Sequence, residues 1–119
     1  MTKILIVDDD KEITNLFEKF LSLQGYETTA LNESAKAVDI ANSIIPDLFI
    51  LDLMMPPPDG FKLCRLLRKE PKFMLTPIII ITALNDNDSK VVAYGAGAND
   101  YLTKPFHIDE LAKRVKAFI

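Results

Sequence analysis

Three aspartates in a row, Asp8, Asp9 and Asp10, follow directly on the apolar residues 4–7. A fourth, Asp52, follows the run Leu48–Leu51. Thr82 follows residues 77–81, and Lys104 stands just past residues 100–102. Each of these polar residues ends an apolar segment. Carboxylates brought close repel one another, and their ionised form needs a cation. An all-oxygen donor set suits a hard divalent ion, and Mg2+ takes one or two carboxylates while keeping several waters. A carboxylate beside Mg2+ can act as a nucleophile toward phosphorus. The metal and a lysine then neutralise charge on the transferring group, and a threonine hydroxyl can bond a phosphoryl oxygen. Brought together, these residue types are suited to carrying a phosphoryl group on Asp52.

Bringing them together requires a scaffold, and its elements are marked by period and punctuation. Lys3–Val7 reads as a strand buried on both faces. Lys11–Leu23 has Ile13, Leu16, Phe17, Phe20, Leu21 and Leu23 at helical spacing, with Gly25 where a helix stop belongs. Glu27–Leu31 is less apolar and reads as an edge strand. Residues 34–44 read as a helix with Ser34 as N-cap, closed by Pro46. Leu48–Leu51 is the third strand. A stiff loop over residues 56–58 leads to a helix opened by Asp59 or Gly60 and ending at Lys69. Residues 77–81 form the most apolar strand. A short helix spans 86–93 with Asp86 or Asp88 as cap. Residues 100–102 make a brief last strand, and 107–118 a final amphipathic helix.

Five strands alternate strictly with five helices. Short apolar runs without alternation suit a parallel sheet covered on both faces. A doubly wound five-stranded parallel sheet of this kind takes the order 2-1-3-4-5. Right-handed crossovers then put helices one and five on one face and two, three and four on the other. Ligands bind such sheets at the carboxyl edge, where strand order reverses, here between strands one and three. The acids after strand one therefore face Asp52.

Each residue also has a plainer reading. Asp9 with Glu12 three positions on resembles a capping box, Asp52 can cap a loop, and Lys104 can be a solvated lysine. Asp8 and Asp10 also have the D-x-D spacing of a Mg2+-dependent phosphohydrolase with an aspartyl nucleophile. A pure interaction module on the same fold is a third possibility, but it would not need both Asp52 and Lys104. Gly95 and Gly97 imitate the start of a dinucleotide fingerprint, but they lie after a helix and before a strand, the wrong context. His107, the only histidine, reads as a surface or capping residue.

The 119 residues fit one domain, nearly half of it apolar. A net charge of −3 argues against direct nucleic-acid binding, and no apolar run approaches a membrane span. The single cysteine, Cys64, excludes an internal disulfide and suits a reducing cytoplasm. Phe61 and Leu67 share its helical face, so a packing role is expected.

The segments ILIVDDD, PDLFILDLMMP, DGF, PIIIITA and GANDYLTKPF, in this order and spacing, resemble the receiver domains of bacterial response regulators in two-component signalling. The resemblance runs over the whole chain and implies a flavodoxin-like fold. It implies Asp52 as phosphoacceptor, with Mg2+ held by Asp8, Asp9, Asp52 and the backbone carbonyl of Met54. Thr82 and Lys104 would contact the phosphoryl group, and Thr82 with Tyr101 would form the switch. Tyr101 would turn inward when Thr82 moves. A cis Lys104–Pro105 bond would point the lysine inward. The implied partner is a sensor histidine kinase or a histidine phosphotransfer protein.

A homodimer through the fourth helix, fifth strand and fifth helix is a further expectation, with Lys90, Asp100, Glu110 and Arg114 near that face. Residues 1–119 are expected to be the receiver of a longer regulator whose C-terminal output domain lies beyond this chain. Such a domain is a phosphoacceptor switch rather than an enzyme, with at most slow self-phosphorylation and autodephosphorylation. Met54 and Leu84 would overlook the phosphoryl group and, being apolar, offer nothing to orient an attacking water.

Overall fold

Apolar runs become strands in a computed structural model that describes all residues, Met1–Ile119. The elements are β1 (Lys3–Val7), α1 (Lys11–Leu23), β2 (Glu27–Leu31), α2 (Ala37–Ile44), β3 (Leu48–Leu51), α3 (Gly60–Lys69), β4 (Ile78–Thr82), α4 (Asn87–Gly95), β5 (Asp100–Thr103) and α5 (Ile108–Phe118). All strand pairings are parallel, in the order β2-β1-β3-β4-β5. The fold is the flavodoxin-like one, and β2 is an edge as its weaker hydrophobicity implied.

Because side chains alternate along a strand, each strand feeds two cores. Leu5, Val7, Phe49, Leu51, Ile78 and Ile80 pack with Ala41 of α2, Leu63 and Leu67 of α3, and Ala93 of α4. Ile4, Ile6, Ile50, Ile79 and Ile81 pack on the other face with Phe17 and Leu21 of α1 and Leu111 and Val115 of α5. Helices one and five thus share a face, as right-handed crossovers require. Cys64 is fully buried in the first core, where burial pushes its thiol pKa up.

Several local expectations give way to longer-range contacts. Asp10, rather than Asp9, caps α1, its Oδ1 accepting from the amides of Glu12 (2.9 Å) and Ile13 (3.4 Å). Ser34 caps nothing: residues Ser34–Lys36 form a 3-10 turn, and the Ser34 hydroxyl donates to the carbonyl of Pro56 at 2.8 Å. Pro77, which has no amide to donate, falls outside β4, and Thr82 is instead the last residue of that strand. His107 occupies the N-cap position of α5 but makes no side-chain capping bond. Arg114, on or near the face expected to serve a homodimer, is paired within the chain with Asp100 (2.6 Å) and Glu110 (3.2 Å), which leaves that expectation open.

One clamp ties down the amino edge of the sheet. The Arg68 guanidinium on α3 donates to the carbonyls of Phe73 (2.6 Å), Thr76 (2.6 Å) and Gly97 (2.8 and 3.0 Å), and to Asn99 Oδ1 (2.8 Å). Asn99 Oδ1 also accepts from the first amide of β4, that of Ile78. Gly97 has a φ of +114°, and a Cβ there would lie 2.7 Å from Arg68 Cγ. Glycine is therefore required on both counts. One planar fork orders the loops before β4 and β5, which an ammonium could not span. Arg68→Ala is expected to lower stability by about 2–3 kcal/mol, with Arg68→Lys restoring little of it, as read by urea unfolding. A loss below about 0.5 kcal/mol would show the clamp to be incidental.

Candidate functional site

Register brings the acids of β1 and β3 level. Ile4 to Val7 pair with Leu48 to Leu51 one by one, and the amide of Asp52 donates to the carbonyl of Val7 at 3.1 Å. Asp8 and Asp52 therefore leave adjacent strands at the same height. β4 runs beside β3 with Leu51 opposite Ile80, so Thr82 stands one residue beyond the level of Asp52. β5 pairs Thr82 with Thr103, and the next amide, that of Lys104, donates to the Thr82 carbonyl at 2.8 Å. Segments far apart in sequence thus meet at the carboxyl edge of the central strands.

Side chains close the cluster. Carboxylate oxygens of Asp8, Asp9 and Asp52 all lie within 4.8 Å of one another. Asp8 and Asp52 are buried, at 3% and 8% exposure, while Asp9 is open to solvent. Lys104 Nζ donates to Asp8 Oδ2 at 2.9 Å and lies 3.5 Å from Asp52 Oδ2. Its Lys104–Pro105 bond is cis, as the resemblance implied; Pro57–Pro58 is cis as well. Asp8 Oδ1 accepts from the Asp10 amide at 3.0 Å. Asp52 Oδ1 accepts from the amides of Leu53 (2.7 Å) and Met54 (3.4 Å). On each acid one oxygen is held by backbone and the other faces the lysine.

Burial dominates the electrostatics at Asp8. Burial raises the Asp8 pKa, and the Asp10 amide and Lys104 do not fully offset it. Lys104 is moved up: burial disfavours its charge, but the hydrogen bond to Asp8 and the charges of Asp8 and Asp52 outweigh that. One ammonium stands among three carboxylates, and an oxygen-seeking cation would complete the balance.

Thr82 is fully buried, and its Oγ1 accepts from the Leu84 amide at 3.4 Å. Tyr101 is also buried, its hydroxyl donating to the Leu84 carbonyl at 2.7 Å. The ring is thus in its inward pose. One residue, Leu84, bonds both side chains. Met54, 60% exposed, and Leu84 line an open cleft with Asp9 and Phe61 beside the acids.

Two residues important to this geometry were not singled out from the sequence as site residues. The Asn32 side-chain amide donates to the carbonyl of Asp8 (2.8 Å) and to Thr14 Oγ1 (3.0 Å), fixing the turn after β1. Gly60, first residue of α3, donates its amide to the Leu53 carbonyl at 3.0 Å. A Cβ on Gly60 would collide with the Asp52 carbonyl oxygen and stand 2.6 Å from Leu53 Cα. Its place in the quoted DG pair was the available signal.

Among known proteins, the family model described as response regulator receiver domain matches residues 4–116. The DNA-binding dual master transcriptional regulator RpaA of Synechocystis sp. is 39% identical over 119 residues, covering 100% of this chain and 49% of the relative. Response regulator ArlR of Staphylococcus aureus is 40% identical, covering 100% and 53%. The chain spans about half the length of these curated relatives. The solved structure of Vibrio cholerae chemotaxis protein CheY4 superposes with a TM-score of 0.95 at 28% identity, covering 100% of this chain and 99% of that one.

The close packing at Gly60 generates a prediction. Gly60→Ala must push α3 away from the Asp52–Leu53 peptide, shifting the carboxylate against Lys104. The variant is expected to lose about 1–3 kcal/mol of stability, with its largest amide shifts in a 15N–1H spectrum at residues 52–54. Shifts confined to α3 would show that the contact does not position Asp52.

Proposed function

This chain belongs to the response regulator receiver family, and from that premise we propose that it is a phosphorylation-dependent switch. Asp52 accepts a phosphoryl group, with Mg2+, from a partner histidine kinase or histidine phosphotransfer protein. The observation that supports this most is the meeting of Asp8, Asp9 and Asp52 within 4.8 Å, with Lys104 paired to both Asp8 and Asp52.

The donor set fits Mg2+: it is all oxygen, partly buried, and short of positive charge. Asp8, Asp9, Asp52 and the Met54 carbonyl would hold the ion, directly or through water. Bound there, it supplies charge neutralisation at the transferring phosphoryl group. The remaining chemistry belongs to the chain. With Oδ1 of Asp52 held by the Leu53 amide, Oδ2 is the oxygen free to attack. The new O–P bond forms as the donor's P–N bond breaks, and the imidazole leaves with the electron pair. Lys104, 3.5 Å from Oδ2, stabilises the oxygens of the incoming group. The Thr82 hydroxyl donates to one of them.

The switch follows from Leu84. Drawing the Thr82 hydroxyl toward a phosphoryl oxygen releases the Leu84 amide, and the Leu84 carbonyl is what holds Tyr101. A charge change at Asp52 thus biases the segment leading into α4. In a longer protein of the relatives' kind, that bias is what an output domain would read.

The phosphohydrolase alternative needs Asp10 as a catalytic partner of Asp8. Its Oδ1 is engaged as the cap of α1, which favours the switch.

Incubation with acetyl phosphate and Mg2+ is expected to add one phosphoryl mass, and Asp52→Asn to add none. An addition surviving in Asp52→Asn would overturn the assignment. After donor removal the adduct should decay slowly, since apolar Met54 and Leu84 offer no hydrogen bond to an attacking water. Met54→Asn/Leu84→Glu should speed the decay; an unchanged rate would show that these residues do not set the lifetime.

A further inference from the structure

α3 is the one helix of the five that contains no acid: α1 has Glu12 and Glu18, α2 Asp39, α4 Asp88, and α5 Asp109 and Glu110. In a chain of net charge −3 it carries Lys62, Arg65, Arg68 and Lys69. Arg68 is turned inward as the clamp. Lys62, Arg65 and Lys69 are exposed, and none of their side-chain cations forms an ion pair within the chain, although the Lys62 backbone amide donates to Asp59 Oδ1 as part of the α3 cap. Their 3-then-4 spacing places them within an arc of about 60° and along about 10 Å of helix.

Nothing internal rewards this arrangement. Like charges at i,i+3 and i,i+4 destabilise a helix. Lys62 lies in the first turn, where the helix dipole disfavours a cation. Lys69, in the last turn, is the only member that the dipole helps.

We infer that the outer face of α3 is a docking stripe for an acidic helix of a partner protein, with carboxylates at matching i, i+3 and i+7 positions. Charge complementarity selects an anion, and the shape of the stripe selects its class. It is one helix wide. Exposed Asp59 stands at its head, and Asp39 and Asp88 lie on the helices that precede and follow α3 in the same layer. A nucleic-acid duplex or an anionic bilayer would cover those neighbours and meet their acids, whereas a single acidic helix lies along the stripe and avoids them.

The surface is distinct from the acidic site, so the test needs no phosphorylation. A short alanine-based helical peptide with glutamates at i, i+3 and i+7 is titrated into the 15N-labelled full chain. Its glutamine counterpart, a DNA duplex and phosphatidylglycerol vesicles are titrated in parallel. The glutamate peptide is expected to shift α3 amides, and the glutamine peptide to leave them unmoved. Lys62→Gln/Arg65→Gln/Lys69→Gln, which alters exposed side chains alone, is expected to weaken binding about tenfold while the rest of the spectrum stays native. Lys11→Gln/Lys19→Gln on α1 should bind as the parent does. Shifts centred away from α3, equal binding by both peptides, or tighter binding of duplex or vesicles through the same three cations would each overturn the proposal.

Discussion

The mutual repulsion of carboxylates at the ends of β1 and β3 is the constraint on which the rest of this molecule turns. Two unit charges less than 5 Å apart repel by about 3 kcal/mol at an effective dielectric constant near 20. Such a cost is tolerated only if a rigid frame holds the groups and a countercharge relieves it. The sheet supplies the frame: Asp8 and Asp52 follow strands whose residues are almost wholly buried and paired in strict register. Lys104 supplies part of the countercharge. It is one ammonium among three carboxylates, and burial still holds the Asp8 pKa up despite the ammonium at 2.9 Å. A site left short of positive charge responds strongly to a cation and to a phosphoryl group.

The frame also explains how a local change can travel. Thr82 and Lys104 leave adjacent strands and share a backbone hydrogen bond. Leu84 links Thr82 to Tyr101 through its own amide and carbonyl. The helix that follows, α4, buries only Ala93 of its nine residues. The weakly packed element lies next to the acidic cluster, while the Arg68 clamp orders the opposite end of the sheet. Rigidity at one edge and freedom at the other suit a domain that converts a charge change into a surface change.

Much of this was legible in the sequence because it depends on local pattern. Apolar runs of four or five residues gave the strands, and helical spacing of residues such as Phe17 and Leu21 gave the buried faces. Topological rules then brought Asp8, Asp9, Asp52, Thr82 and Lys104 to one edge. What stayed hidden depends on partners distant in sequence. Arg68 looks like one cation in a basic helix until Gly97 and Asn99 fold against it. Ser34 has the chemistry of a cap, but the Pro56 carbonyl competes for its hydroxyl. Asp9 and Asp10 are equivalent by type, and only the backbone at Asp10 places its carboxylate over the amides of α1. The inward pose of Tyr101 depends on a carbonyl seventeen residues away.

The central claim is that the three carboxylates form one under-neutralised cluster poised for a divalent cation. Melting temperature measured against Mg2+ at fixed ionic strength tests it most directly, because a ligand of the native state alone stabilises by mass action. The chain should gain a saturable rise in Tm, and Asp9→Asn, an exposed and isosteric change, should lose most of it. A Tm indifferent to Mg2+, or a rise equally large in Asp9→Asn, would contradict the account.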